Sequence, residues 1–159
     1  MSALNVSVTG DATERRLALQ GRLDEAAPLV KHVPAWTART VVIDSSEITF
    51  INSIGIREWM HFVAALTAAG ATVVHERCAE PLVEQMCFIP AVRGDGEVRS
   101  FHAPYACTAC GHEQSVLIDV ARHRAQLSRL EAPPATCRAC GQPLALADVP
   151  ERWFAFLRS

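Results

Sequence analysis

The sequence predicts an α/β protein: a mixed β-sheet with flanking helices, followed by a small cysteine-held module. Three observations carry that reading. Apolar periodicity switches between 2 and 3.6 along residues 1–100, in the order β-β-α-β-α-β-α-β. The run Thr40 to Asp44 (TVVID) is apolar and β-branched, as in a strand buried on both faces. Beyond residue 100 the chain carries two C-x-x-C-G motifs.

Val6, Val8, Leu17 and Leu19 alternate around the turn signal Thr9-Gly10-Asp11, which predicts an opening hairpin. Gly21 ends the second strand. Asp24 is placed to cap a helix with Ala27, Val30 and Val33 on its apolar face, stopped by Pro34. After the TVVID strand, Ser45 to Ile51 reads as a short connection. A long helix then runs from Ser53 to Ala69. Ile56, Trp59, Met60, Val63, Leu66 and Thr67 form its stripe, and Gly70 stands just past its end. Ala71 to Val74 predicts another strand. Pro81 to Phe88 predicts a short helix, with a turn at Arg93-Gly94-Asp95-Gly96 and an edge strand over Val98 to Phe101. Composition shifts near residue 101, placing one domain at 1–100 and a second at 101–159.

The segment Val41 to Gly55 carries the loop Ile48-Thr49-Phe50-Ile51-Asn52-Ser53-Ile54-Gly55, and Leu19-Gln20-Gly21-Arg22-Leu23-Asp24 lies upstream. These two motifs resemble the loop and the "L-x-G-x-L-D" segment of STAS domains, the family of anti-sigma factor antagonists and stressosome subunits. The resemblance covers nearly all of residues 1–100. It implies a STAS-type mixed sheet with flanking helices and a regulatory protein–protein interaction. It also implies that Ser53 matches the position phosphorylated by a partner serine kinase. A phosphate there would add about -1.5 to -2 charges at the positive end of a helix dipole. The chain departs from the pattern at Asn52, where the family has Asp, and at Ile54, where it has a second hydroxyl residue. On residue chemistry alone, Ser53 is an N-cap. Asn52 and Ile54 are candidate interface positions.

Cys107, Cys110, Cys137 and Cys140 form the two knuckles, with 26 residues between the inner cysteines. Four thiolates on two tight turns suit one structural Zn²⁺ in a tetrahedral S₄ site, the arrangement of a zinc ribbon. Four protein ligands leave no open position for catalysis. His102 and His112 lie nearby but read as packed or solvated. Cys87, beside Met86 and Phe88, reads as a core residue, and Cys78 carries no assigned role.

At the C-terminus Asp148, Pro150 and Glu151 predict a short helix bearing Trp153, Phe154 and Phe156. These aromatics are candidate interface residues as well as candidate packing residues.

Half of the 159 residues are hydrophobic, enough for a sizeable core. The net charge of -2 offers no basic surface for a nucleic-acid backbone, although Arg122, Arg124 and Arg129 make a local basic run. No leader-like or membrane-spanning apolar run is visible, so the expected location is the cytoplasm. No phosphate-binding glycine loop, H-E-x-x-H or G-x-S-x-G motif occurs, so no enzyme is expected. The leading expectation is a bacterial regulatory module that binds a protein partner, such as an anti-sigma-like serine kinase, with self-association also possible. The alternative is a scaffold subunit of a larger assembly without a phospho-switch. A redox or nucleic-acid-binding zinc ribbon ranks behind both.

Overall fold

The computed structural model describes residues 3–158. The opening hairpin pairs β1 (Asn5–Gly10) with β2 (Glu14–Leu23), placing Val6 opposite Leu19 and Val8 opposite Leu17. Asp11 closes its turn by accepting the N–H of Thr13 at 2.9 Å. The connection that follows differs from the expectation. No helix begins at Asp24. Its side chain instead accepts the Ala26 N–H at 3.0 Å in a tight turn. Pro28 disfavours helical backbone at Ala27. Helical structure starts later, with a 3₁₀ turn at Val30–His32 and the short α1 (Val33–Trp36). Pro34 therefore opens α1 rather than stopping a helix, because a first-turn residue needs no N–H donor.

The central strand β3 (Thr40–Ile51) absorbs the segment expected to be a connection. Its polar second half pairs in parallel with the end of β2, through two register shifts, and brings Leu23 opposite Ile51. Next come α2 (Ser53–Ala68), β4 (Thr72–Glu76), α3 (Glu80–Phe88), α4 (Pro90–Arg93) and β5 (Glu97–Val98). The first sheet has the order β1-β2-β3-β4-β5, antiparallel at β1–β2 and parallel elsewhere. This is the mixed α/β arrangement that the sequence predicts. Ile56, Trp59, Val63 and Leu66 of α2 are buried as expected, joined by Phe62, while Thr67 is exposed. The apolar face is wide because α2 meets the sheet, α1 and α4 together; Phe62 stands edge-on to Trp36 at 6.1 Å.

The remaining elements are β6 (Ser100–Cys107), β7 (Glu113–Asp119), α5 (Arg124–Ser128), β8 (Leu144–Leu146), α6 (Pro150–Trp153) and a 3₁₀ turn at Ala155–Leu157. They include a second, antiparallel sheet ordered β7-β6-β8. The start of β6 is also tied to the first sheet. Cys78 bridges Phe101, and the His102 N–H donates to the Cys78 carbonyl at 2.8 Å. Cys78 is fully buried there, and burial pushes its thiol up to about 12. Inward residues alternate along β6 as Phe101, Ala103, Tyr105 and Cys107, so one strand face runs from the core to the first knuckle.

The C-terminal aromatics close over this junction. Phe101 lies edge-on to Phe154 at 5.9 Å and to Phe156 at 5.0 Å, and the Trp153 ring N–H donates to the His102 carbonyl at 3.3 Å. Each buried ring contributes roughly 1.5–3 kcal/mol of apolar burial. Such edge-on pairs add about 0.5–1.5 kcal/mol beyond that burial. One buried cluster therefore includes residues from both sides of position 101. No helix among the described residues is long and apolar enough to cross a membrane.

Candidate metal centre and interaction loop

Both knuckles are built the same way. The Cys107 carbonyl accepts the Gly111 N–H at 2.9 Å, and the Cys137 carbonyl accepts the Gly141 N–H at 2.9 Å. The Cys107 N–H donates to His112 and the Cys137 N–H to Gln142, each at 2.8 Å. Gly111 and Gly141 sit at φ +77° and +76°, a region L side chains rarely enter, which explains a glycine after each second cysteine. β6 leads into the first knuckle and β8 leaves the second, and pairing of Cys107 with Leu144 sets the two turns side by side.

This arrangement brings the four sulfurs within 4.8 Å of one another. Cys107 Sγ lies 3.5 Å from Cys140 Sγ, and Cys110 Sγ lies 3.7 Å from Cys137 Sγ. All four are free thiols. Metal–sulfur bonds of about 2.3 Å in a tetrahedron would set sulfurs about 3.8 Å apart, so the donor set fits a tetrahedral ion. Electrostatics agree with that geometry. The Cys110 backbone N–H, with those of neighbouring groups, holds the Cys107 thiol down to about 7. The Gln142 N–H favours the Cys140 thiolate, but Cys107 and the other sulfurs outweigh it and push that thiol up to about 12. Four thiolates at these distances need a cation among them. The four cysteines thus form a site that can hold a metal. Neither His102 nor His112 belongs to this cluster. His102 Nδ1 faces Ser115 Oγ at 3.4 Å.

The second candidate is the junction of β3 and α2. Here the structure assigns the cap to Asn52, not Ser53: Asn52 Oδ1 accepts the Gly55 N–H at 2.8 Å. Ser53 is the first helical residue. It is exposed, and among the described residues its hydroxyl has no hydrogen-bond partner. The reason lies in position: Asn52 has the extended backbone of a cap, so its side chain folds over the first turn. The Asn52 amide also donates to Glu25 Oε2 at 3.0 Å. The Glu25 carboxyl is held below its usual range, first by its own backbone N–H and then by Asn52. The Asn52 N–H in turn donates to the Leu23 carbonyl at 3.1 Å. The two sequence motifs thus meet in space.

Two apolar side chains close to Ser53 in the chain are exposed. Ile54 is 41% exposed and Phe50 is 37% exposed, with the Arg22 guanidinium 3.7 Å over the Phe50 ring. The sequence reading did not single out Phe50, Arg22 or Glu25. Phe50 and Arg22 lay within the two quoted motifs, but the β2–β3 pairing is what sets Arg22 over Phe50, and Glu25 meets Asn52 from the turn after β2.

The C-terminal aromatics, candidates for packing as well as for an interface, are packed within the chain. Trp153, Phe154 and Phe156 are 4%, 1% and 2% exposed, so the chain's own core uses them. Asp148 is not the cap of α6; Val149 holds that position, and Asp148 Oδ2 instead accepts from Arg152 at 2.9 Å. Cys87 is half-buried rather than a core residue, its thiol donating to the Trp153 carbonyl at 3.4 Å.

No protein-family model and no curated protein matches the chain. Among solved structures, the chain is similar to the anti-sigma factor antagonist SpoIIAA in its unphosphorylated form. The identity is 13% and the TM-score 0.44, over 60% of this chain and 86% of that one. A likeness of that degree specifies neither a site nor a partner.

Proposed function

We propose that the chain is a regulatory protein–protein interaction module of the STAS type, acting in the cytoplasm. Its first hundred residues carry the partner surface, and residues 101–159 form a zinc ribbon held by Cys107, Cys110, Cys137 and Cys140. The observation that carries the reading is the loop at the start of α2. There an exposed Ser53, its hydroxyl without a hydrogen-bond partner among the described residues, adjoins exposed Ile54 and follows exposed Phe50 by three residues, on a turn capped by Asn52. A partner lying on this surface would cover the apolar side chains. A phosphate on Ser53 would add negative charge beside Ile54 and weaken the contact. The zinc role is structural, because four protein thiolates fill a tetrahedral ion's coordination. This is a binding function rather than a catalytic one.

The test is to isolate the protein from its own cells under phosphatase inhibition, map its phosphate by mass spectrometry and measure its metal. The proposal expects a phosphorylated fraction at Ser53 and about one zinc per chain. A second reading, a scaffold subunit without a switch, rests on the apolar Ile54 and Phe50 surface alone. It would replace the first if Ser53 is unmodified under every growth condition.

A further inference from the structure

The cysteine-bearing half holds a cleft that neither the four-sulfur site nor the Ser53 loop uses. It is about 320 Å³ and lies between α5, the loop before it and the C-terminal turn. Val120, Leu127, Phe154 and Leu157 make its apolar lining, with Leu127 and Phe154 buried. Two guanidinium groups, Arg124 and Arg158, border it. Neither forms an ion pair among the described residues, whereas Arg129 pairs with Glu131 and Arg152 with Asp148 and Glu84. Among the described residues, no carboxylate lines this cleft. A smaller neighbouring cleft of about 200 Å³ shares Val120 and Arg124 but is lined by Glu97 and Asp119 as well. An anionic group is therefore favoured at the Arg124 and Arg158 end and opposed at the other.

We propose that this cleft binds a small amphiphilic carboxylate, with its carboxylate at Arg124 and Arg158 and its aliphatic tail against the half-buried side chains of Val120 and Leu157. The charge selects the head group: guanidinium groups present paired donors that match a carboxylate. The volume selects a small molecule, since about 300 Å³ is the lower end of small-ligand clefts. A nucleic-acid strand would need stacking faces as well as charge, and Phe154, the one aromatic in the lining, is buried edge-on against Phe101. The bound molecule would join α5 to the C-terminal turn, which packs on α3.

The experiment titrates the full-length metal-loaded protein with octanoate, followed by calorimetry and by NMR shifts at Leu127 and Phe154. Saturable one-to-one binding is expected. Replacing both arginines (Arg124→Ala with Arg158→Ala) should weaken it at least tenfold, and Ser128→Trp at the exposed margin should block it. Octyltrimethylammonium should not bind. Absence of saturable octanoate binding overturns the proposal. So does equal affinity for the cationic analogue, or undiminished binding in the double arginine variant, because either result makes the cleft a nonspecific apolar surface.

Discussion

A Cβ atom on Gly55 would stand 1.9 Å from the Leu23 carbonyl oxygen, so the first turn of α2 rests directly on the backbone that ends β2. The opposing atom is main chain and cannot swing away. Gly55→Ala should therefore destabilise the fold by about 2 kcal/mol despite the better helix propensity of alanine. Urea denaturation checks this, and an unchanged or higher midpoint would contradict the close packing.

Asn52 and Ser53 separate under the same assay. Asn52→Ala removes the bond to the Gly55 N–H and should cost about 0.5–2 kcal/mol. Ser53→Ala removes no such bond and should fall within about 0.5 kcal/mol of the parent. The reverse order would return the cap to Ser53.

Metal removal should unfold only part of the second half. A metal held at the knuckles would contribute to their folding, whereas the start of β6 is held by Cys78 and by the C-terminal aromatics. Hydrogen exchange after chelation should accelerate over residues 107–119 and 136–146, while the His102 amide stays protected by the Cys78 carbonyl. Loss of protection across all of 101–159 would mark that half as one metal-dependent unit.

His75 should make the fold acid-sensitive. It is fully buried on β4, and its Nε2 donates to the Arg93 carbonyl at 2.8 Å. Its Nδ1 has no hydrogen-bond partner among the described residues. Burial, acting first, lowers its pKa from 6.5 to about 4. Well above pH 6.5 the ring is neutral in both folded and unfolded chains, and the full stability is present. As pH falls towards 4 the unfolded chain takes up the proton and the folded chain does not. Stability should then drop by about 3 kcal/mol in total from this residue. Comparing unfolding free energies of the parent and His75→Gln at pH 7.5 and pH 4.5 isolates the effect. Equal pH dependence in both would remove His75 as its source.

The parts legible in the sequence were those written in regular spacing. The α2 stripe of Ile56, Trp59, Val63 and Leu66, the Val6–Leu19 hairpin and the paired cysteines follow from period and turn chemistry. The polar half of β3 was not legible, because Ser45 to Thr49 lacks an apolar alternation. Its strand character comes from pairing with Gln20 to Leu23. The cap was misplaced by one residue because Asn52 and Ser53 are both good caps and only the backbone angle chooses between them. The C-terminal aromatics were visible as apolar, but nothing local to them specifies Phe101 as their partner.

The most direct measurement is parallel affinity capture from the source cells with the parent chain, Ser53→Ala and Ser53→Asp, quantified by mass spectrometry. The account predicts a specific partner retained equally by the parent and Ser53→Ala, and reduced at least tenfold by Ser53→Asp, with metal content and stability the same in all three. Capture of the same partner at the same level by Ser53→Asp would contradict a charge-controlled interface at the start of α2.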